Sequence, residues 1–537
     1  MDDNIAKNVN ILIDELCKPP DKSLFDSKTN KIEVSSATSM VSTIYERIRN
    51  VIDFKDEHFI RRFAIQRFLR VYLSSKSNPE ETSEILYKDL LRGKYINESH
   101  VSDRRAEEIS QILKRYVFAK QTLNELRISD NQGTLWDFML GVAASEIENV
   151  IDPNYKPEVF IKLMAQYILK ALRGSNLDLS PEQEGIHVFI ACHKALVRSD
   201  YAILRYHALR ILYPQFFGVF DEQTVKAVVK SLPDTKKYVD GIIKSRTQEV
   251  LSIQVRKLAP PFKVLYGTLE KNKDRVSSIL FSPPLLRDKA DEFMESYYVE
   301  LKKKLSLRIT RTLIYLFITK MLLAILIEAP VDLYIIKHVN YISLAINTFF
   351  PVLLFFFIAK KITIPGRDNS NKIHELIHMV VYEDKLFASD LEEALFRKRL
   401  HANYKDKSWL SLVYAALYIL VYGLIAVLLS KIGFNVTSIF LFYFFVSVLS
   451  FFAWNIRARS KDLQIIGKRD NVIEAILNVV ALPILKVGQI LSVEVARFNF
   501  FSLAFDLILE APFKIIVQSI EDLIDFLKSK HEEVVEN

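Results

Sequence analysis

The 537-residue chain is 50% hydrophobic, and its mean hydropathy of +0.12 is higher than soluble proteins usually reach. Its net charge of +8 is modest for this length, so no specific nucleic-acid partner is expected. Only 13 glycines argue against glycine-rich phosphate loops and a doubly wound nucleotide fold, and two cysteines in no CxxC pattern, Cys17 and Cys192, exclude a thiolate zinc cluster.

The first twenty residues carry Asp2, Asp3, Asp14 and Glu15 and lack a continuous apolar core, so no cleavable signal peptide is expected. Up to about residue 300 the apolar residues recur at helical spacing, as in Ile109, Ile112, Leu113 and Tyr116, and no alternating strand pattern lasts. Breaks are expected at SKSNPEE, ISDNQG, IDPNYKP, LDLSPEQ and LAPPF, giving about ten helices in an all-α region. The few cysteines fit a reducing compartment, so residues 1–300 read as a cytosolic helical region. Within it, the stretch from Phe59 to Leu73 interleaves Arg61, Arg62, Arg67 and Arg70 with aromatic residues. Such arginines commonly solvate the outer face of a bundle helix; the alternative is a grip on anionic lipid or RNA phosphates.

No glycine or proline follows Pro284 until Pro330, so one helix is expected to run from the helical region into the membrane. Residues 301–456 then form the membrane domain, with about four spans at 307–328, 341–359, 409–430 and 437–455. The short KIGFNV turn makes the last two an antiparallel hairpin. Lys302, Lys303, Lys304, Arg308 and Arg311 precede the first span, while the next loop carries only Lys337. The connection at 360–408 and the exit at Arg457, Arg459 and Lys461 are again basic, so both termini are expected in the cytosol.

The tail, 457–537, is apolar but interrupted by Glu474, Lys486, Glu494, Arg497, Asp506, Glu510 and Lys514. It reads as amphipathic and interfacial, with 475–493 as an alternative fifth span. ILIEAP at 325–330 and LILEAP at 507–512 nearly coincide, which fits a shared way of ending an apolar helix at an interface.

Two sets of residues carry candidate chemistry. His374, Glu375 and His378 fit HExxH; on a helix the two histidines can hold zinc while the glutamate acts as general base. This motif on the cytosolic side of a helical membrane domain resembles the membrane zinc endopeptidases of the heat-shock and prenyl-protein-processing type. No third ligand is identifiable, and the bland alternative is an apolar stripe of Ile373, Leu376, Ile377, Val380 and Val381 with the histidines at its margin. No cofactor is expected unless this motif is a real zinc site. The second set is an intramembrane charge, Lys320, for which Asp506 or Glu510 is the expected partner. Asn347 and Thr348 are weaker polar candidates in the second span.

TRTLIYLFITKM, VNYISLAIN and ITIPGRDNSNKI, between Thr310 and Ile373, resemble a group of multi-pass membrane proteins of uncharacterised function from candidate-phyla bacteria. The resemblance implies a bacterial plasma (inner) membrane and no particular activity. The leading expectation is a membrane-anchored scaffold or protein-binding module, with lipids and other proteins as partners and homo-oligomerisation open. The alternatives are a zinc endopeptidase and a small transporter or channel subunit.

Overall fold

The computed structural model describes residues 12–14, 59–73, 77–96, 103–127, 133–151, 157–172, 180–328, 330–336, 340–360, 365–383, 408–465 and 472–497. These residues are helical with no strand among them, and they fall into two compact units. One lies within Asn10–Arg256 and the other combines Lys257–Ala388 with Arg397–Phe498.

In the first unit the expected breaks become helix ends with local capping. Helices α1 (Ile60–Tyr72) and α2 (Pro79–Arg92) meet at SKSNPEE, where Asn78 Oδ1 accepts from the Glu80 amide at 3.1 Å and Pro79 opens the helix. Next come α3 (Asp103–Glu125), α4 (Thr134–Ile151) and α5 (Pro157–Leu172). The LDLSPEQ break supplies a capping box, Ser180 with Gln183, for α6 (Pro181–Leu196). Asp200 caps α7 (Tyr201–Leu212) and Asp221 caps α8 (Glu222–Lys244) through the Ile203 and Thr224 amides.

Helix α4 is apolar around most of its circumference, which demands neighbours on several sides. It packs against α1, α3 and α7, and Phe138, Met139, Leu140 and Ile147 join Phe68, Leu113 and Leu209 in one core. An ion pair joined by a tyrosine hydroxyl is buried in this unit. Arg115 Nη1 donates to Glu146 Oε1 at 2.7 Å, and the Tyr116 hydroxyl donates to Glu146 Oε2 at 2.9 Å. Burial raises the Glu146 carboxyl above its ordinary range, while Arg115 pulls it back down.

The expected break at LAPPF is absent. Helix α9 (Arg246–Lys271) runs through Pro260 and Pro261, with Leu258, Ala259, Phe262, Val264 and Leu265 all buried around them. Packing on both sides outweighs the lost backbone hydrogen bonds, which cost about 3 kcal/mol per interior proline.

The second unit contains α10 (Val276–Leu280) and the unbroken helix expected after Pro284, α11 (Pro283–Leu323). The segment at 307–328 is therefore the end of a 41-residue helix, finished by a π-helical turn at Ala324–Glu328 and followed by another at Val331–Ile336. Among the described residues three helices are long and apolar enough to cross a membrane: α12 (Tyr341–Lys360), most of α14 (Ser408–Lys431) and α15 (Val436–Ser460). They match three of the expected spans to within a few residues. Between them lies α13 (Arg367–His378), extended by a π turn at Met379–Glu383.

Two sets of contacts give the bundle its register. Asn347 of α12 lies beside Ser438 of α15, and the Phe350 ring stacks on Phe442 at 5.4 Å. Farther along, Phe355 and Ala359 join Leu449, Ala453 and Ile456 in one cluster, so α12 and α15 run in the same direction. Leu305 of α11 belongs to that cluster. Lys302, Lys303, Lys304, Lys360 and Arg457, all within three residues of a cluster member, therefore gather at one end of the bundle. At the other end Asn340 Nδ2 donates to Ile432 O at 3.2 Å. There α14 ends in a Schellman turn at Gly433, whose φ of +89° favours glycine, with the Phe434 amide donating back to Leu429 O.

The tail begins as α16 (Val472–Arg497), which packs on α15 and also touches α14. Gly488 sits directly on the Ser447 backbone, and Ile484 packs into the cluster of Phe434, Phe442 and Val446. Asp506, Glu510, Lys514 and the second of the two similar hexamers lie outside the described residues.

Candidate functional site

Lys320 is 1% exposed, and its ammonium lies 3.3 Å from Glu328 Oε1 and 4.4 Å from the centre of the Phe445 ring. The π-helical turn swings Glu328, eight residues on, back toward Lys320. Asn347 Nδ2 donates to the same carboxylate oxygen and, at 3.4 Å, to Ser438 O, and Asn347 Oδ1 has no hydrogen-bond partner among the described residues. Thr348 is buried beside it. Asn347 stands six residues into α12, about 9 Å of helical rise from Tyr341. The cluster thus lies toward the Asn340 end of the bundle, away from the basic end. The partner found for Lys320 is Glu328, a residue read from sequence only as the close of the first span.

The HELIH residues occupy α13. Its apolar stripe, Ile373, Leu376, Ile377, Val380 and Val381, is buried. His374 Nε2 is 2.7 Å from Asp291 Oδ1 on α11, Glu375 is exposed and paired with Lys372 at 2.7 Å, and the exposed His378 ring lies 5.1 Å from that of Tyr382. Among the described residues no three His, Cys, Asp or Glu side chains converge as metal ligands do. Asn369 secures the helix, donating to Leu463 O at 2.7 Å and accepting from the Ile465 amide at 2.7 Å.

The arginines of α1 do not form a solvated stripe. Arg62 is 2% exposed, with Nη2 on Asp200 and Nη1 on Gln66 at 2.8 Å. Arg61 pairs with Glu148 at 2.8 Å, and Arg70 pairs with Asp137 at 3.0 Å on the surface. Arg67 covers the Phe68 ring at 4.8 Å. The pairs with Glu148, Asp200 and Asp137 join α1 to α4 and to the cap of α7, so Arg61 and Arg62 are spent within the bundle while Arg70 keeps its pair at the surface.

Behind Arg62 lies a cavity of about 70 Å³ where α1, α4, α5, α6 and α7 meet. His193 and His207 stack in its wall with ring centres 4.2 Å apart. His193 Nδ1 is 3.2 Å from Ser199 Oγ, and His207 Nε2 is 3.9 Å from Glu158 Oε1. Burial pushes His207 down to about 3, with Arg210 and Lys162 adding to the effect; burial likewise takes His193 well below the usual imidazole range. Both rings are neutral at neutral pH. No spacing in the sequence signals this site, because its residues come from five separate helices.

Compared with protein-family models, with curated proteins and with solved structures, the chain matches none.

Proposed function

We propose that the chain is a membrane-anchored protein-binding module, held by about four apolar helices and presenting its N-terminal helical unit to the cytosol. The observation that carries this reading is the internal pairing of the bundle's buried charge: Lys320 is matched by Glu328, whose carboxylate also accepts from Asn347, rather than left facing an open path. What remains for recognition is the N-terminal unit, which has its own core and a largely polar exterior. The basic end of the bundle, at Lys302–Lys304, Lys360 and Arg457, supports placing that side toward the cytosol. The resemblance to candidate-phyla proteins favours a bacterial inner membrane.

Purification of the full chain in mild detergent tests this. The expected result is a protein partner retained in fixed stoichiometry, together with no solute flux above background when the chain is reconstituted in liposomes. Flux abolished by Lys320→Leu would overturn the reading in favour of a transporter.

A further inference from the structure

We infer that the face of α11 carrying Arg308 and Arg311 is a binding site for an anionic phospholipid, whose phosphate those two guanidinium groups take; the inference rests on the membrane-spanning reading of the bundle. Depth is the first observation. The Phe317 ring of α11 lies 6.2 Å from that of Phe349 on α12, and the two helices meet again where Leu305 joins Phe355 and Ala359, so they run antiparallel. Ser306 and Lys360 each lie eleven residues from that ring contact and so stand level, at the point where the uncharged run of α12 ends. Arg311 is therefore about 7.5 Å of helical rise deeper in the bundle than that point. It is also exposed, in one row at helical spacing with the exposed apolar residues Leu307, Ile314 and Ile318. Such a row faces lipid, and a cation within it is unfavourable unless a phosphate reaches it.

Charge decides the class of lipid. No aspartate or glutamate occurs in 301–323, 341–360 or 436–460, whereas Lys302, Lys303, Lys360 and Arg457 join the two arginines at this end of the bundle. Glu300, the nearest acid along α11, is held by Lys304 at 2.8 Å. A zwitterionic headgroup would carry its own cation into this field, while a headgroup of net negative charge is matched throughout. Arg308 is exposed like Arg311, and residues at i and i+3 are neighbours on a helix surface, so the two can flank one phosphate. The planar fork of each donates to two of its oxygens at once. A soluble anion would have to leave water for this depth, whereas a lipid phosphate is brought to it by its acyl chains.

Native mass spectrometry of the purified full chain, in detergent containing phosphatidylglycerol and phosphatidylcholine of the same acyl chains, tests the proposal. Phosphatidylglycerol should be retained saturably and in preference to phosphatidylcholine, and inorganic phosphate should not displace it. Arg308→Gln combined with Arg311→Gln, both at exposed positions, should weaken that retention roughly thirtyfold, the effect of losing two cations at an anionic surface. Lys431→Gln, an exposed cation at the opposite end of the bundle, should leave it unchanged. Equal retention of the two lipids, displacement by inorganic phosphate, a preference that survives the double variant, or an equal loss in Lys431→Gln would overturn it. The lipid panel on the wild-type chain keeps the test decisive if the double variant folds poorly. All of this is read on chain already extracted from membranes, so its failure is distinct from failure of the membrane-spanning reading, which carbonate extraction tests.

Discussion

Lys320 Nζ and Glu328 Oε1 lie 3.3 Å apart, both side chains 1% exposed, at the point where α11 gives way to a π-helical turn. Removing one member strands a buried charge, which costs about 3–5 kcal/mol. Lys320→Met and Glu328→Gln should each destabilise the bundle by roughly that amount. The double variant should recover most of the loss. Unfolding in mixed detergent micelles, arranged as a double-mutant cycle, measures the coupling. Single variants as stable as the wild type would show that the pair contributes nothing.

The stacked pair His193 and His207 makes the N-terminal unit acid-sensitive. Their folded-state values lie below the unfolded value of about 6.5, so between these limits the unfolded chain binds more protons. Stability is therefore fully present above about pH 6.5 and falls as pH is lowered toward about 3. Replacing His207 with Gln should flatten this fall, read as the midpoint of unfolding against pH. An unchanged slope would contradict the assignment.

Gly488 of α16 rests on the Ser447 carbonyl of α15, and a Cβ there would collide with backbone. Gly488→Leu should detach α16 or cost about 1–3 kcal/mol, as overpacking does. Protease sensitivity of α16 in membranes should rise; protection equal to wild type would count against this packing.

His374 is spent on Asp291, and Glu375 on Lys372. Purified protein should therefore carry no stoichiometric zinc, and His374→Ala should weaken the α13–α11 contact by about 1 kcal/mol without affecting any peptidase activity. Zinc at one per chain, lost in that variant, would restore the metallopeptidase reading.

Three of the four expected apolar runs were legible because each is a long uncharged run whose flanks change character within a few residues. The breaks at Asn78 and Ser180 were legible because capping is a local act. The LAPPF break was misread since proline's local cost was overridden by burial of Leu258 and Phe262, which sequence alone does not reveal. The pairing of Lys320 with Glu328 was not legible for a related reason. An α-helix places neighbours three or four residues apart, whereas pairing eight residues away depends on a π turn that carries no sequence signature. Arg62 looked like a surface cation because its match, Asp200, lies 138 residues along the chain. The histidine cavity depends on the same kind of long-range packing.

The most direct test of the account is the partition of the intact chain after cell lysis. Built on α12, α14 and α15, it should sediment with membranes, resist alkaline carbonate and dissolve only in detergent. Recovery of the full-length chain in the carbonate supernatant would contradict it.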